Sequence, residues 1–338
     1  MRAGYIFSAM ADCAAHFSDE EYKSACKKLF ANITERRMYI TGGIGSNPNG
    51  ERFGGDFELP NKTAYAETCA AISLAYFSRR MLHLEPDSRY ADAVERVMYN
   101  GFLCGVSQDG KRFFYSNPME VDSPSVERAE LFFCSCCPPN VVRFSASITE
   151  DFYTYRDDVL FVHQYAQSEA NIGDAVITQA TDYPADGAVD VTVSGKFKTL
   201  ALRIPGWCGG FTLNVPYRLE NGYAYCDIPE DGKIALSLDM KIKAVESDTR
   251  VKENAGKAAL TRGPVVYCLE GRDNGGDLSG LTLCKNGELK AEPSDILGVP
   301  VIYADGARGA FPVTLKFIPY FATLNRGPDV MKVWIETK

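Results

Sequence analysis

Up to about residue 155, apolar residues recur with the period of an α-helix. In the segment SDEEYKSACKKLFANI, apolar side chains follow one another at intervals of three and four residues, and Ser18 and Glu21 form a capping-box pattern at its start. The same period recurs in TAYAETCAAISLAYFSRRML, DSRYADAVERVMYNGFL and PPNVVRFSASITEDFY. The pattern predicts a helical region over residues 1–155.

From about residue 157 onward, apolar and polar positions alternate with the period of a β-strand. Val189, Val191 and Val193 alternate in AVDVTVSG, and KIALSLDM shows the same pattern. Turn sequences such as PADG, ENG and PEDG separate these strands. The second half is therefore predicted to form β-sandwich domains over 156–248 and 249–338, with a break near VESDTRVKENAGK.

A long glycine-rich segment, MYITGGIGSNPNGERFGGDFELPN, lies between the first two predicted helices. It shows neither helical nor strand periodicity, and long loops of this kind within compact domains are usually functional. Its GGIGSN stretch lacks the third glycine of a dinucleotide fingerprint and follows a helix rather than a strand, which disfavours a phosphate cradle. The carboxylates of Glu51, Asp56 and Glu58 are candidates for acid–base chemistry, although a loop carboxylate is usually only solvated.

Composition narrows the possible partners. Hydrophobic residues make up 46% of the chain and charged residues 24%, which is ordinary for a globular protein, and the net charge of −8 comes without a Lys/Arg block. We therefore predict no nucleic-acid partner, and no membrane partner either, because no apolar run reaches the roughly 18 residues of a membrane span. The eleven cysteines are odd in number and lack a disulfide-scaffold spacing, which predicts reduced thiols and a cytoplasmic location.

Three of these cysteines are crowded into the segment LFFCSCCPPN. Cys136 and Cys137 are adjacent, so a disulfide between them would be strained, whereas thiolates are good zinc ligands. Pro138 disfavours helical geometry at the preceding residue. The two adjacent thiols are therefore predicted to lie in an extended turn just before a helix.

A second group of donor side chains, Glu67 and Cys69, lies in YAETCAA. Residues two apart do not share a face of a regular helix, so they would meet at one ion only near a helix start or in a distorted turn. With Cys136 and Cys137 they would form a three-cysteine, one-glutamate zinc site. The spacing is not that of a common zinc motif, so the residues alone leave open that Cys69 is a core residue and Glu67 a solvated carboxylate.

Several long segments resemble glycoside hydrolase family 127, the β-L-arabinofuranosidases. In the helical half these are YITGGIGS, GERFGGDFELPN, TAYAETCAAI, NGFLCGVSQDGKRFFYSNP and CSCCPPN, and in the second half LRIPGWC, LTRGPVVYCLEG and PYFATLNRGPDVMKVWI. The resemblance extends over essentially the whole chain. It implies a multidomain protein, α then β: part of an (α/α)6-type toroid followed by two jelly-roll-like β-sandwich domains.

The resemblance also implies a mechanism. Zinc would be bound by one carboxylate and three thiolates, from Glu67, Cys69, Cys136 and Cys137. Cys136 would be the nucleophile of a retaining β-L-arabinofuranosidase, Glu51 the general acid/base, and Tyr115 a residue near the substrate. The partner would be an oligosaccharide or glycopeptide that carries L-arabinofuranoside.

Members of the family carry further helices before the point that matches the start of this chain. The sequence therefore leads us to expect the C-terminal part of the catalytic toroid, with impaired activity on its own. Two other interpretations remain open at this point. One is a non-catalytic, zinc-stabilised carbohydrate-binding protein, and the other is a structural zinc site in an enzyme that uses other groups.

Overall fold

The computed structural model describes residues 2–150 and 152–338, and helices make up most of its first part. The α-helices are α1 (Arg2–Phe17), α2 (Glu20–Arg36), α3 (Thr68–Leu84), α4 (Ser88–Arg96) and α5 (Cys137–Ala146). Helix α3 is buried along most of its length and contacts the other four. A π-helical turn, Val97–Phe102, continues α4 towards the C-terminal sheet. The two helix starts that carry the donor side chains, those of α3 and α5, thus lie on neighbouring elements.

Two helix boundaries differ from the sequence-based expectation. The N-cap of α2 is Asp19, whose carboxylate accepts hydrogen bonds from the backbone N–H groups of Glu21 and Tyr22. The predicted capping box at Ser18 is therefore wrong: Ser18 has a positive φ of 53° and precedes the cap. The predicted extended turn at the thiols is also wrong, because Cys137 is the first residue of α5 and Cys136, with φ −76° and ψ −33°, is already helical. Pro138 is accommodated in the first turn, where its missing N–H has no helical partner to lose.

Two five-stranded sheets follow the helices. One has the order β2-β3-β7-β10-β9 and the other β4-β5-β6-β11-β8. Leu160 and Leu200 of the first sheet share a buried core with Ile177, Val191 and Leu236 of the second. The strands are β2 (Tyr153–Arg156), β3 (Val159–Val162), β4 (Ser168–Ile172), β5 (Ala175–Ala180), β6 (Ala188–Ser194), β7 (Thr199–Arg203), β8 (Phe211–Leu213), β9 (Arg218–Glu220), β10 (Tyr223–Asp227) and β11 (Lys233–Leu238). Most of β6 and β11 alternates buried and exposed positions, as the period of two predicts.

A larger sheet contains the C-terminal strands and a short strand from the helical half. Its strands are β1 (Glu120–Val121), β12 (Ile242–Glu246), β13 (Lys257–Arg262), β14 (Val265–Glu270), β15 (Leu281–Leu283), β16 (Leu289–Glu292), β17 (Val301–Arg308), β18 (Phe311–Pro319), β19 (Met331–Lys332) and β20 (Ile335–Thr337). Because β1 pairs with β19, this sheet is hydrogen-bonded to the helical region. Phe114 and Met119 of that region pack in the same core as Val265 and Phe317.

The structure confirms the predicted order of helices first and mostly β-sheet afterwards. The predicted domain divisions at residues 155 and 248 stay predictions, while the strand pairing places β2 with the middle sheets and β12 with the C-terminal sheet. Within residues 2–150 and 152–338, no helix has both the length and the apolar character needed to cross a membrane.

Candidate thiol–carboxylate site

Two helix N-termini bring the predicted donor side chains together. Glu67 is the N-cap of α3 and Cys69 lies in the first turn, while Cys136 is the N-cap of α5 and Cys137 is its first residue. Glu67 has φ −59° and ψ 138°, so the chain turns into the helix between the two donors. This is the helix start at which residues two apart can meet. Both helix ends also place partial positive charge near the acidic groups.

The four side chains form a compact group, in which one ligand atom from each lies within 4.8 Å of all the others. The sulfur of Cys137 lies 3.6 Å from that of Cys69 and 3.8 Å from that of Cys136, whose sulfur is 3.4 Å from Glu67 Oε1. A tetrahedral zinc ion with Zn–S bonds of about 2.3 Å separates its sulfur ligands by about 3.8 Å. The spacing of the thiols therefore fits the edges of a tetrahedral metal site, and the group could hold a metal ion.

All four groups of this site become negatively charged when they lose a proton, and none of the four carries a positive charge. Burial raises the pKa of the Glu67 carboxyl, and burial together with the neighbouring Cys69 raises the pKa of the Cys136 thiol to about 12. The hydrogen bond shared by Cys69 and Cys137 lowers the pKa of the former and raises that of the latter. Four groups that can each become anionic thus lie close together, so that each negative charge disfavours the others. A divalent cation would offset this repulsion.

Two tyrosines connect this group to the glycine-rich loop. The Tyr65 hydroxyl donates a hydrogen bond of 2.9 Å to Glu67 Oε2, and the Tyr115 hydroxyl donates one of 3.1 Å to Glu51 Oε1. The Tyr65 and Tyr115 rings are neighbours, with centroids 5.9 Å apart. Burial, Tyr65 and then the negative charges of Glu67 and Cys136 raise the pKa of Tyr115. The structure therefore places Glu51 and Tyr115 beside the thiol–carboxylate group.

Other candidates from the sequence lie outside this arrangement. Asp56 pairs with Arg36 and Arg37, and Glu58 accepts a hydrogen bond from the Gly55 backbone. The third cysteine of the crowded segment, Cys134, is exposed and is not among the four donors.

Sequence reasoning missed Tyr65, which is 8% exposed and bonded directly to a donor carboxylate. The available signal was a tyrosine two residues before Glu67, because a buried tyrosine hydroxyl normally requires a polar partner.

Profiles of known families match along most of the chain. Residues 2–150 match the β-L-arabinofuranosidase GH127 catalytic domain, residues 159–240 the β-L-arabinofuranosidase GH127 middle domain, and residues 242–336 the glycoside hydrolase family 127 C-terminal domain. The chain belongs to glycoside hydrolase family 127. The resemblance seen in the sequence motifs is confirmed.

Individual members of family 127 align with the whole chain. A non-reducing end β-L-arabinofuranosidase of Bifidobacterium longum subsp. longum is 35% identical over 99% of this chain. The crystal structure of a GH127 β-L-arabinofuranosidase from Geobacillus stearothermophilus T6 is 43% identical over 100% of the chain, with a TM-score of 0.94. A second solved structure, of a GH127 β-arabinofuranosidase, is 33% identical over 100% of the chain, with a TM-score of 0.91.

The family 127 chain described here spans 58% of the length of the Bifidobacterium relative and 60% of each of these two solved chains. The protein is thus a family 127 glycoside hydrolase in its domains and fold.

Proposed function

We propose that this protein is a retaining β-L-arabinofuranosidase, with Cys136 as nucleophile and Glu51 as general acid/base. One observation carries the proposal: the buried group of three thiols and one carboxylate is connected to a second carboxylate, Glu51, through Tyr65 and Tyr115. A retaining glycosidase needs a nucleophile and a separate acid/base group at the scissile bond. The proposal extends to a partial (α/α) toroid and two β-sandwich domains as the architecture.

The metal that fits this donor set is zinc. Thiolates suit zinc, and the spacing of the sulfur atoms matches a tetrahedral site with Glu67, Cys69, Cys136 and Cys137 as ligands. When bound, zinc supplies the positive charge that keeps coordinating thiols deprotonated at neutral pH. Of the four donors, Cys136 is the least buried, which suits it to face a substrate.

The first step would transfer the sugar to sulfur. The Cys136 sulfur attacks the anomeric carbon and forms a C–S bond while the bond from that carbon to the leaving oxygen breaks. Glu51 gives its proton to the departing oxygen. Retaining enzymes place these two groups about 5–5.5 Å apart, and that separation is our prediction for Glu51 and Cys136 in the liganded protein.

The second step would return the thiolate. Glu51, now a carboxylate, takes a proton from water, whose oxygen attacks the anomeric carbon and displaces the Cys136 sulfur. Two displacements restore the configuration of the sugar, which is retention. Tyr115, within hydrogen-bond distance of Glu51, would orient that carboxyl group and line the sugar site.

The substrate we propose is an L-arabinofuranoside at the non-reducing end of an oligosaccharide or glycopeptide. Support comes from the Bifidobacterium relative, which is described as a non-reducing end β-L-arabinofuranosidase. The cytoplasmic location expected from the cysteine content stays a prediction.

The proposal is tested with aryl β-L-arabinofuranosides whose leaving groups range from activated to poor. Cys136→Ala should abolish turnover on all of them, whereas Cys134→Ala, a change at the exposed neighbouring thiol, should leave turnover unchanged. Glu51→Gln should slow the poor leaving groups far more than the activated ones, because only the former need a proton donor. A cysteine-reactive arabinofuranoside analogue should label Cys136, as read by peptide mass spectrometry.

Two results would contradict the proposal. Turnover by Cys136→Ala would exclude Cys136 as nucleophile. Failure of the cysteine-reactive analogue to label Cys136 in the zinc-loaded wild-type protein would instead favour a zinc-stabilised carbohydrate-binding protein.

A further inference from the structure

A separate cavity of about 250 Å³ lies where the helical region, the middle sheets and the C-terminal sheet meet. Its walls include Asp92, Glu95 and Arg96 from α4, Trp207 from the segment after β7, and Lys243 from β12. None of these residues is among the four donors Glu67, Cys69, Cys136 and Cys137. The cavity is smaller than the roughly 300–1,000 Å³ of pockets for drug-sized ligands, and its scale suits a single sugar unit or a similar small molecule.

The two carboxylates of this cavity already have partners. Asp92 Oδ1 lies 2.6 Å from Arg203 Nη1, and Asp92 Oδ2 accepts a hydrogen bond of 3.0 Å from the Gly206 N–H. Glu95 Oε1 accepts from Arg203 and from the Tyr183 hydroxyl, and Glu95 Oε2 accepts from the Trp207 indole N–H at 2.9 Å. Each carboxylate oxygen therefore has a donor, and neither acid presents an unpaired negative charge to the cavity.

The cationic groups of the cavity are less fully paired. Arg96 donates one hydrogen bond, of 3.3 Å, to the Ile40 carbonyl, and over residues 2–150 and 152–338 no carboxylate lies within ion-pair distance of it. Lys243 donates to the Trp207 carbonyl oxygen, which carries no full charge. Burial lowers the pKa of the Arg96 guanidinium, which still remains charged at neutral pH. Two acids and three bases, with Arg203 included, leave a net charge of +1 around the cavity.

The donors of Arg96 and Lys243, together with the indole of Trp207, indicate the kind of ligand that the cavity would bind. A guanidinium with free N–H groups binds a carboxylate in a bidentate manner, and a nearby ammonium adds a second charge-assisted bond. The half-buried indole of Trp207, held in place by its bond to Glu95, offers an apolar face of the kind that packs against a ring.

We propose that this cavity binds an acidic monosaccharide of the uronic-acid type, with its carboxylate on Arg96 and Lys243 and its ring against Trp207. The proposal concerns a second site and does not depend on the hydrolase mechanism. Because the ligand would contact all three regions of the fold, its binding would stabilise the folded protein in proportion to its concentration over Kd.

The test is calorimetric titration of the full chain with galacturonate, with galactose as the neutral analogue and with acetate and phosphate as simple anions. Galacturonate should bind and raise Tm, while galactose and acetate should bind at least tenfold more weakly. Arg96→Gln should weaken galacturonate binding on the order of 10- to 100-fold, which corresponds to the loss of one hydrogen bond between charged groups. Arg89→Gln, at an exposed arginine on the same helix paired with Asp87, should leave binding unchanged.

Lys243→Gln provides an independent variant at an exposed side chain if Arg96→Gln fails to fold, and it should weaken binding severalfold. Equal binding of galacturonate and galactose, or undiminished binding by both variants, would overturn the proposal. Stronger binding of phosphate than of galacturonate would also overturn it, because the site would then select an inorganic anion rather than an acidic sugar.

Discussion

The thiol–carboxylate site and the network around Arg203 both contain buried acidic groups. Within residues 2–150 and 152–338, only those of the second form ion pairs with a cationic side chain. Arg203 is 0% exposed and forms ion pairs with Asp92 and Glu95 at 2.6 and 2.5 Å. Glu67 is equally buried, yet its neighbours are three thiols and the Tyr65 hydroxyl.

The difference lies in how far each cluster pairs its own acidic groups. In the Arg203 network every acidic oxygen has a donor, so the cluster is complete and connects α4 to the middle sheets. In the thiol–carboxylate site burial raises the pKa values of Glu67 and Cys136, and the hydrogen bond with Cys69, together with burial, raises the pKa of Cys137. A divalent cation at this site would favour the anionic forms of these groups.

The largest effect should come from removing the internal cation. Arg203→Met is expected to lower the free energy of unfolding by about 3–5 kcal/mol, because Asp92 and Glu95 would remain buried without their partner. Chemical denaturation monitored by fluorescence measures this. Arg89→Met breaks an exposed pair with Asp87 on the same helix and should cost no more than about 1 kcal/mol. Similar losses for the two variants would show that the Arg203 network is not the complete cluster described here.

The next effect should come from supplying the missing cation. Zinc at a free concentration 100 times its Kd should stabilise the metal-free protein by about 2.7 kcal/mol, since the ion binds the folded site and not the separated ligands. One zinc per chain should be measured by elemental analysis, together with a rise in Tm. Cys69→Ala should lose both, whereas Cys134→Ala should retain them. Zinc bound at full stoichiometry by Cys69→Ala would place the ion elsewhere.

The zinc affinity of the thiol–carboxylate site should depend on pH, because protons and zinc compete for the thiol sulfur atoms. In the metal-free protein the pKa of Cys136 is raised to about 12 and that of Cys137 is raised as well, so both thiols hold protons at neutral pH. Zinc binding must release these protons, and its affinity should fall about tenfold, or 1.4 kcal/mol, per released proton for each unit of decreasing pH. Competition with a chromophoric chelator between pH 6.5 and 7.5 measures the slope. A slope near zero would mean that the thiols are not the ligands.

The sequence allowed the thiol–carboxylate site to be predicted better than the network. Glu67, Cys69, Cys136 and Cys137 could be named as a set because the motifs that carry them resemble those of family 127, whereas their spacing alone left open that Cys69 is a core residue and Glu67 a solvated carboxylate. The order of helices before sheets followed from the change of hydrophobic period near residue 157.

The Arg203 network could not be predicted, since it joins α4 to a strand 108 residues away in sequence from Glu95. In the sequence, Asp92 and Glu95 fit the polar face of an amphipathic helix. The neighbouring residues carry no signal that β7 covers this face. The capping-box pattern of Ser18 with Glu21 is misleading because Asp19 is also a residue type that caps helices, and only the backbone dihedrals distinguish the two.

The smallest effect should come from neutralising the more exposed acid of the network. Asp92→Asn is expected to change the free energy of unfolding at pH 7 by about 1 kcal/mol, since an amide oxygen can still accept from Arg203 while the bond from Gly206 is lost. Burial raises the pKa of the Asp92 carboxyl above 3.8, against the opposing charge of Arg203. The folded state therefore binds this proton more tightly than the unfolded state, and the contribution of Asp92 to stability falls as pH rises from 3.8 through the folded pKa. The free energy of unfolding of the wild type should therefore rise relative to that of Asp92→Asn as pH is lowered from 7 to 4.

The exposed Asp248 provides the opposite case and completes this test. Its hydrogen bond with Arg250 lowers its pKa to about 2, so its contribution to stability is present above 3.8 and is lost as pH falls towards 2. As pH falls, the free energy of unfolding of the wild type should therefore decrease relative to that of Asp248→Asn and increase relative to that of Asp92→Asn. Urea denaturation of the three proteins at a series of pH values measures both differences. If the two variants diverged from the wild type in the same direction, burial would not be the dominant influence on Asp92, and the account of the Arg203 network as a fully paired but desolvated cluster would fail.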